Sequence, residues 1–311
     1  MPASRAIMFA ARAENVKGMG GNLLRSSAMP YPLVELGGQG SVVHLALANG
    51  FPPETYHPAV EPLTRRYRVV SLPPRALWND AGPPPAEPGS WDMVADDLLD
   101  GMHRHGLDRV IGLGHSFGAV ATLLAAVREP ARFRALCFLD PTILPPAVMD
   151  DLRRQRERGE MSFRPLVQGA LKRRSAFATE AEAFAYWRAK SLFADWPDDA
   201  VGRYTRSMLK PAAVGGGFAL AWSAAWEAWY YMSFSTESWA ALEALDAAIP
   251  LLVVRGERSD TFLAEAEALM RIRRPAVECR LMPGRGHLFP QAAPGETARE
   301  ILAWLEKLPG R

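Results

Sequence analysis

The fold of this chain is decided by the stretch Gly114-His115-Ser116-Phe117-Gly118. An apolar run typical of a strand (109–113) leads into it, and a run typical of a helix (119–128) follows. A strand that turns directly into a helix strains the residue at the apex, and side chains two positions away on either side would collide with the turn. Glycine stands at both of those positions. The pattern therefore predicts a nucleophile elbow that holds the hydroxyl of Ser116 above the edge of a sheet.

A serine hydroxyl is a poor nucleophile at neutral pH, so this interpretation requires a base and an acid that orients the base. Two further apolar runs typical of strands, 249–255 and 277–282, each lead into a polar loop. The first loop carries Asp260 and the second carries His287. The chain order Ser116, Asp260, His287 is the order that defines the α/β-hydrolase arrangement.

These three motifs lie on three separate strand ends and resemble those of the α/β-hydrolase superfamily. The resemblance extends from about residue 30 to the C-terminus. The resemblance implies that Ser116 attacks an acyl carbon, that His287 is the general base and that Asp260 orients the imidazole. Asp260 also precedes a predicted helix, which it could cap. Glu257 is a competing acid in the same loop. Asp140, at the end of another predicted strand, is a third candidate and ranks below both.

The oxyanion hole of such an enzyme takes two backbone amides, one of them from the residue after the nucleophile, here Phe117. The second comes from the loop at 49–53, which follows the predicted strand 42–48. Because proline has no N–H, Phe51 is the last donor before two positions that cannot donate. Many relatives have His-Gly where this chain has Asn49-Gly50, a departure that leaves the backbone role intact.

Strands and helices alternate along most of the chain, as a doubly wound, mostly parallel α/β sheet requires. Besides a first strand at 32–36, the predicted strands are 42–48, 68–72, 109–113, 135–139, 251–255 and 277–282, and the predicted helices lie near 54–64, 91–105, 117–128, 262–272 and 296–308. The alternation breaks in a long, aromatic-rich stretch, 143–240, where hydrolase relatives insert a lid. We therefore predict an α/β-hydrolase core with an inserted helical lid.

The predicted core comprises residues 29–142 and 241–311, and residues 1–28 have no clear period, so we expect a disordered extension there. Two basic clusters in the insertion, 153–158 and 172–174, are interpreted as solvated surface because acidic residues are interleaved and the net charge is weak.

Composition narrows the class of protein further. A formal net charge of +2 does not suggest a nucleic-acid partner, and no run of 18 apolar residues predicts a membrane span. Nothing in the pattern implies a cofactor or a metal, the oligomeric state is open, and we expect a cytoplasmic protein. His103 and His105 lie two apart on a predicted helix, so they point to different faces and cannot easily share a metal.

The sequence thus predicts a serine hydrolase that cleaves a small apolar ester-like substrate through an acyl-enzyme on Ser116. Two alternatives remain open. One is a ligand-binding protein of the same fold with slow or vestigial hydrolysis, and the other is a C–C hydrolase or perhydrolase with the same triad.

Overall fold

The structure is a computed structural model that describes residues 31–160 and 164–308 of the 311-residue chain. The predicted N-terminal extension, 1–28, lies outside the described residues. The strands are β1 (Val34–Gly37), β2 (Val42–Ala46), β3 (Arg68–Ser71), β4 (Val110–His115), β5 (Phe133–Leu139), β6 (Ala176–Phe177), β7 (Leu209–Pro211), β8 (Phe218–Leu220), β9 (Leu251–Gly256) and β10 (Glu278–Met282). The α-helices are α1 (His57–Val60), α2 (Asp92–Arg104), α3 (Phe117–Arg128), α4 (Pro146–Glu157), α5 (Arg164–Leu171), α6 (Glu180–Arg188), α7 (Asp198–Met208), α8 (Ala224–Met232), α9 (Ser238–Ala244), α10 (Ala264–Arg273), α11 (Phe289–Ala292) and α12 (Pro294–Leu305).

Seven strands form the main sheet, in the order β1-β3-β2-β4-β5-β9-β10. Among the described strands of this sheet, only β1 is antiparallel to its neighbour, so the prediction of a mostly parallel sheet is confirmed. Strand β4 lies at the centre, where Leu113 is paired with Leu45 on one side and Cys137 on the other. Every residue of β4 is buried, as a strand covered by helices on both faces requires.

The helix predicted near residues 54–64 is a shorter element in the structure. Helix α1 has only four residues, and 3₁₀ turns flank it at Pro53–Tyr56 and Glu61–Arg65. Prolines recur through this segment, and each one removes a backbone donor that a continuous α-helix needs. The helices predicted near 91–105, 117–128, 262–272 and 296–308 correspond to α2, α3, α10 and α12.

The segment between β5 and β9 contains helices α4 to α9 and a three-stranded antiparallel sheet in the order β6-β8-β7. The sequence predicted only helices here, because strands of two or three residues are too short to show a period of two. Three consecutive glycines with positive φ, 215–217, make the turn from β7 to β8. Helix α9 crosses the predicted boundary at residue 240, and the role of this insertion as a lid stays a prediction.

No helix within the described ranges is long and apolar enough to cross a bilayer.

Candidate active site

The elbow at Ser116 has the geometry that its sequence predicts. Ser116 joins β4 to α3 with φ 58° and ψ −125°, a strained conformation for a residue with a side chain. A Cβ added to Gly114 would lie 2.4 Å from the Cα of Ala119, and one added to Gly118 would lie 2.4 Å from the carbonyl oxygen of Leu47. Because side chains at these positions would overlap backbone atoms, the elbow requires both glycines.

His287 lies between the serine and a carboxylate. Its Nε2 is 3.0 Å from Oγ of Ser116, and its Nδ1 is 2.7 Å from Oδ2 of Asp140. The carboxylate can only accept when ionised, so Nδ1 carries a proton and donates it, which leaves Nε2 free to accept from the serine hydroxyl. Oγ of Ser116 also lies 3.2 Å from Oγ1 of Thr142. The arrangement can therefore draw the proton from the nucleophile.

Asp140, and not Asp260, supplies the carboxylate on His287, so the expected contact between Asp260 and His287 does not form. Asp260 is exposed, and its Oδ1 accepts a hydrogen bond of 3.3 Å from the hydroxyl of Thr261. The loop after β9 turns the side chain of Ser259 inward instead. That hydroxyl donates to Oδ2 of Asp140 and accepts from two amides that follow it, at 3.0 Å each.

The carboxylate of Asp140 is completely buried and accepts hydrogen bonds from three donors. Its Oδ1 accepts from the amide of Gly256 at 2.8 Å, and its Oδ2 accepts from Ser259 and His287. Strands β5 and β9 are parallel neighbours that end at the same edge of the sheet, so an acid after either strand could reach His287. Glu257 is exposed and accepts from the amide of Gly284 at 2.6 Å, away from the histidine ring.

The two amides predicted for the oxyanion hole have different surroundings. Phe117 is the first residue of α3, where amides have no partner within the helix. The amide of Phe51 closes a turn by donating to the carbonyl of Ala48 at 3.2 Å, with Gly50 at φ 88° inside that turn. The side chain of Asn49 donates to the carbonyl of Glu227 in α8 at 3.0 Å, so this loop is attached to the insertion.

Aromatic side chains of the insertion pack on both predicted oxyanion residues. The ring of Phe117 stacks on that of Tyr230, with 5.2 Å between centroids. The ring of Phe51 lies 5.6 Å from that of Tyr204 and 6.0 Å from that of Trp196. The insertion therefore packs aromatic rings on the residue after the nucleophile and on the loop at 49–53.

One member of the basic cluster 172–174 is not on the solvated surface, which corrects the interpretation drawn from the sequence. Arg173 forms an ion pair with Glu227, and their side chains are 18% and 2% exposed. Burial raises the pKa of Glu227 to about 7, against the opposing attraction of Arg173. A Cβ on Gly50 would lie 3.4 Å from the Glu227 carboxylate, so the pair adjoins the loop at 49–53. Arg174, the next residue, is exposed.

No group of three His, Cys, Asp or Glu side chains in the described part of the chain is arranged to hold a metal ion. The sequence did not single out Ser259 or Tyr56. Ser259 contacts Asp140 directly, and the hydroxyl of Tyr56 contacts the imidazole of His115 beside the nucleophile. A hydroxyl in a loop or a short helix leaves no periodic signal that could have identified either one.

The sequence profile of the alpha/beta hydrolase family matches residues 42–300. E-2-(acetamidomethylene)succinate hydrolase is a similar solved structure, with a TM-score of 0.70 and 21% identity over 88% of this chain and 94% of that one. MenH from S. aureus has a TM-score of 0.63 and 16% identity over 88% of this chain and 98% of that one. At such identities the likeness shows the fold alone.

Among curated proteins, bifunctional epoxide hydrolase 2 from Rattus norvegicus is 22% identical over 110 residues. The match covers 34% of this chain and spans only 20% of the length of the rat protein.

Proposed function

Because the chain belongs to the alpha/beta hydrolase family, we propose that it is a serine hydrolase that cleaves a small, apolar, ester-like substrate. The observation that carries the proposal is the continuous line of hydrogen bonds from Ser116 through His287 to Asp140, at 3.0 Å and 2.7 Å. Asp140 takes the role that the sequence assigned to Asp260. Acyl transfer needs a nucleophile, a base within reach of it and an acid that orients the base, and these residues can supply all three.

In the proposed reaction, Oγ of Ser116 attacks the acyl carbon while its proton passes to Nε2 of His287. Asp140 stabilises the imidazolium that results, because its buried carboxylate is held by hydrogen bonds and cannot turn away. His287 then gives the proton to the leaving group, and an acyl-enzyme remains on the serine. Water, deprotonated by the same histidine, releases the acid.

The amides of Phe117 and Phe51 would hold the oxyanion. The Phe117 amide lies in the first turn of α3, whose dipole also favours negative charge there. The Phe51 amide now donates to Ala48, so it must turn toward the oxyanion or share its hydrogen as the transition state forms. Hydrogen bonds of this kind often tighten only once substrate is bound.

The apolar nature of the substrate is supported by the aromatic rings that the insertion places against these two phenylalanines. Rings of this size bury apolar surface and leave few polar atoms to pair with a charged group.

The test is hydrolysis of p-nitrophenyl esters of increasing acyl length, with fluorophosphonate labelling in parallel. Ser116→Ala should abolish labelling and lower kcat by at least about 10⁴-fold, since the remaining site has no nucleophile. Ser71→Ala is the matched control, because it removes a buried serine hydroxyl that donates to the carbonyl of Leu45, away from His287. Equal turnover by Ser116→Ala and wild type would refute the mechanism. A wild type that neither turns over nor labels would favour the ligand-binding alternative.

A further inference from the structure

His115, the residue before the nucleophile, has both ring nitrogens engaged although it plays no part in the proposed reaction. The side chain is completely buried. Its Nε2 lies 3.0 Å from the backbone carbonyl oxygen of His287, and its Nδ1 lies 2.7 Å from the hydroxyl oxygen of Tyr56. The two imidazole rings, of His115 and His287, have centroids 5.0 Å apart and are tilted by 38°. His115 therefore joins the elbow to the backbone of the proposed base.

The direction of each hydrogen bond follows from which atoms can donate. A carbonyl oxygen only accepts, so Nε2 of His115 must carry the proton that bonds to His287. In the neutral ring Nδ1 is then an acceptor, and the hydroxyl of Tyr56 donates to it. The oxygen of Tyr56 in turn accepts from the amide of Ala48 at 2.9 Å. The hydrogen bonds thus run in one direction, from the amide of Ala48, just before the loop at 49–53, to the loop that carries His287.

The ring of His115 stays neutral in these surroundings. Burial lowers its pKa well below the ordinary value, and the neighbouring His287 lowers it further. Burial also raises the pKa of Tyr56, so the phenol keeps its proton and remains a donor. Both groups therefore hold one protonation state across the pH range in which a hydrolase would be assayed.

The loop that carries His287 needs an anchor of this kind. It contains glycines at 284 and 286, which give the backbone conformational freedom, and Gly284 has φ 65°. The segment Pro53–Tyr56 packs against helix α11, which begins two residues after His287. Tyr56 and His115, both completely buried, thus hold this loop from within the core.

We propose that Tyr56 and His115 are positioning residues, in which the Tyr56 hydroxyl holds the His115 ring at Nδ1 and His115, through Nε2, holds the His287 backbone so that the imidazole spans Ser116 and Asp140. The kinetic part of this proposal rests on the proposed function, in which His287 is the base. Misplacement of a catalytic group by about 1 Å can cost about 100-fold in rate.

Two substitutions at His115 separate positioning from packing. A glutamine amide reaches the place of Nε2 and can still donate to the His287 carbonyl, whereas an asparagine amide reaches only the place of Nδ1. We expect His115→Asn to lower kcat by roughly 10- to 100-fold with KM little changed, and His115→Gln to recover most of that loss. His44→Gln is the control: His44 is also fully buried, and it accepts from the amide of Leu72 on the far side of β2.

Equal losses in the Asn and Gln variants, or a loss in His44→Gln as large as in His115→Asn, would overturn the positioning role. Tyr56→Phe provides a second variant if substitution of His115 prevents folding. It should lower kcat in the same direction, because Nδ1 loses its donor and the ring is then held only through Nε2. Wild-type kinetics in Tyr56→Phe would contradict the proposal.

Long-range ¹⁵N NMR of the histidine rings tests the tautomer without any catalysis, so it remains decisive even if Ser116 proves not to be a nucleophile. We expect His115 to be neutral with the proton on Nε2 from pH 5 to pH 8, and its Nδ1 resonance to shift in Tyr56→Phe because that nitrogen no longer accepts a hydrogen bond. A proton on Nδ1 in the wild type, titration within that range, or an unchanged Nδ1 resonance in Tyr56→Phe would each refute the inference.

Discussion

The α/β core and the insertion place their polar side chains in different ways. In the core, Ser116, Asp140 and His287 follow the ends of three parallel strands, and hydrogen-bonded strand pairing fixes how far apart those ends lie. In the insertion, aromatic packing decides which side chains turn inward. Arg173 is buried against Glu227 while the next residue, Arg174, is exposed. Neighbours with the same chemistry thus have opposite surroundings.

This difference shows where local sequence is informative. A strand end is a backbone feature, and its neighbours in a parallel sheet are set by topology. The orientation of a side chain on a short helix among aromatic rings depends on contacts from distant parts of the chain. Variants of one residue in each environment test this difference.

The largest effect is expected in the core, at the acid. Asp140→Asn should lower kcat by about 10⁴-fold, because an amide cannot stabilise the imidazolium and its NH₂ group would favour the wrong tautomer of His287. Asp260→Asn is the matched control and should keep wild-type activity, since Asp260 is exposed and, within the described residues, is hydrogen-bonded to Thr261 and not to His287. Steady-state kinetics of both variants, with melting temperatures, measure the difference. Loss of activity in Asp260→Asn with Asp140→Asn active would restore the assignment made from the sequence.

A smaller effect, on stability, is expected in the insertion. Arg173→Met leaves Glu227 buried without its partner, so the free energy of unfolding should fall by about 3–5 kcal/mol. Arg174→Met, which removes an exposed pair with Glu182, should cost no more than about 1 kcal/mol.

Urea denaturation of the two variants tests this contrast between adjacent arginines. The double variant Arg173→Met with Glu227→Leu should recover most of the loss, because no buried charge then lacks a partner. If the two single substitutions lower the free energy of unfolding equally, the inward position of Arg173 makes no extra contribution to stability.

Much of the core could be predicted from the sequence, because its signals are local. The Gly114-His115-Ser116-Phe117-Gly118 stretch contains the strand, the strained turn and the start of the helix within a few residues. The choice of Asp140 over Asp260 could not be predicted, since it depends on which neighbouring strand end faces His287. It also depends on Ser259, in the loop that carries Asp260, whose side chain turns inward and donates to Asp140. No sequence pattern predicts this tertiary contact.

The insertion was the harder part for the same physical reason. Its three short strands show no alternation, and the interleaved acidic residues and weak net charge suggested that the cluster at 172–174 is solvated surface. Only the packing against α8 reveals that Arg173 is buried, beside the loop that carries Phe51.

The smallest effect expected is a pH dependence of stability that originates in the insertion. Burial raises the pKa of Glu227 from an ordinary value of 4.5 to about 7. Between these values the folded chain holds a proton that the unfolded chain has released, so the free energy of unfolding falls as the pH rises. One such group contributes at most about 1.4 kcal/mol per pH unit. The contribution is flat below pH 4.5, where both states are protonated, and flat again above pH 7, where both are ionised.

Glu227→Gln should therefore remove this slope from a series of urea denaturations at pH 4.5 to 7.5. Glu182→Gln is the control, because Glu182 pairs with Arg174 at the surface and its pKa is lowered by hydrogen bonds from the Ala178 amide and Arg174. Its removal should leave the Glu227 slope in place. The same slope in wild type and Glu227→Gln would mean that Glu227 is ionised throughout this range, and that the buried pair is as fully charged as the pairs on the surface.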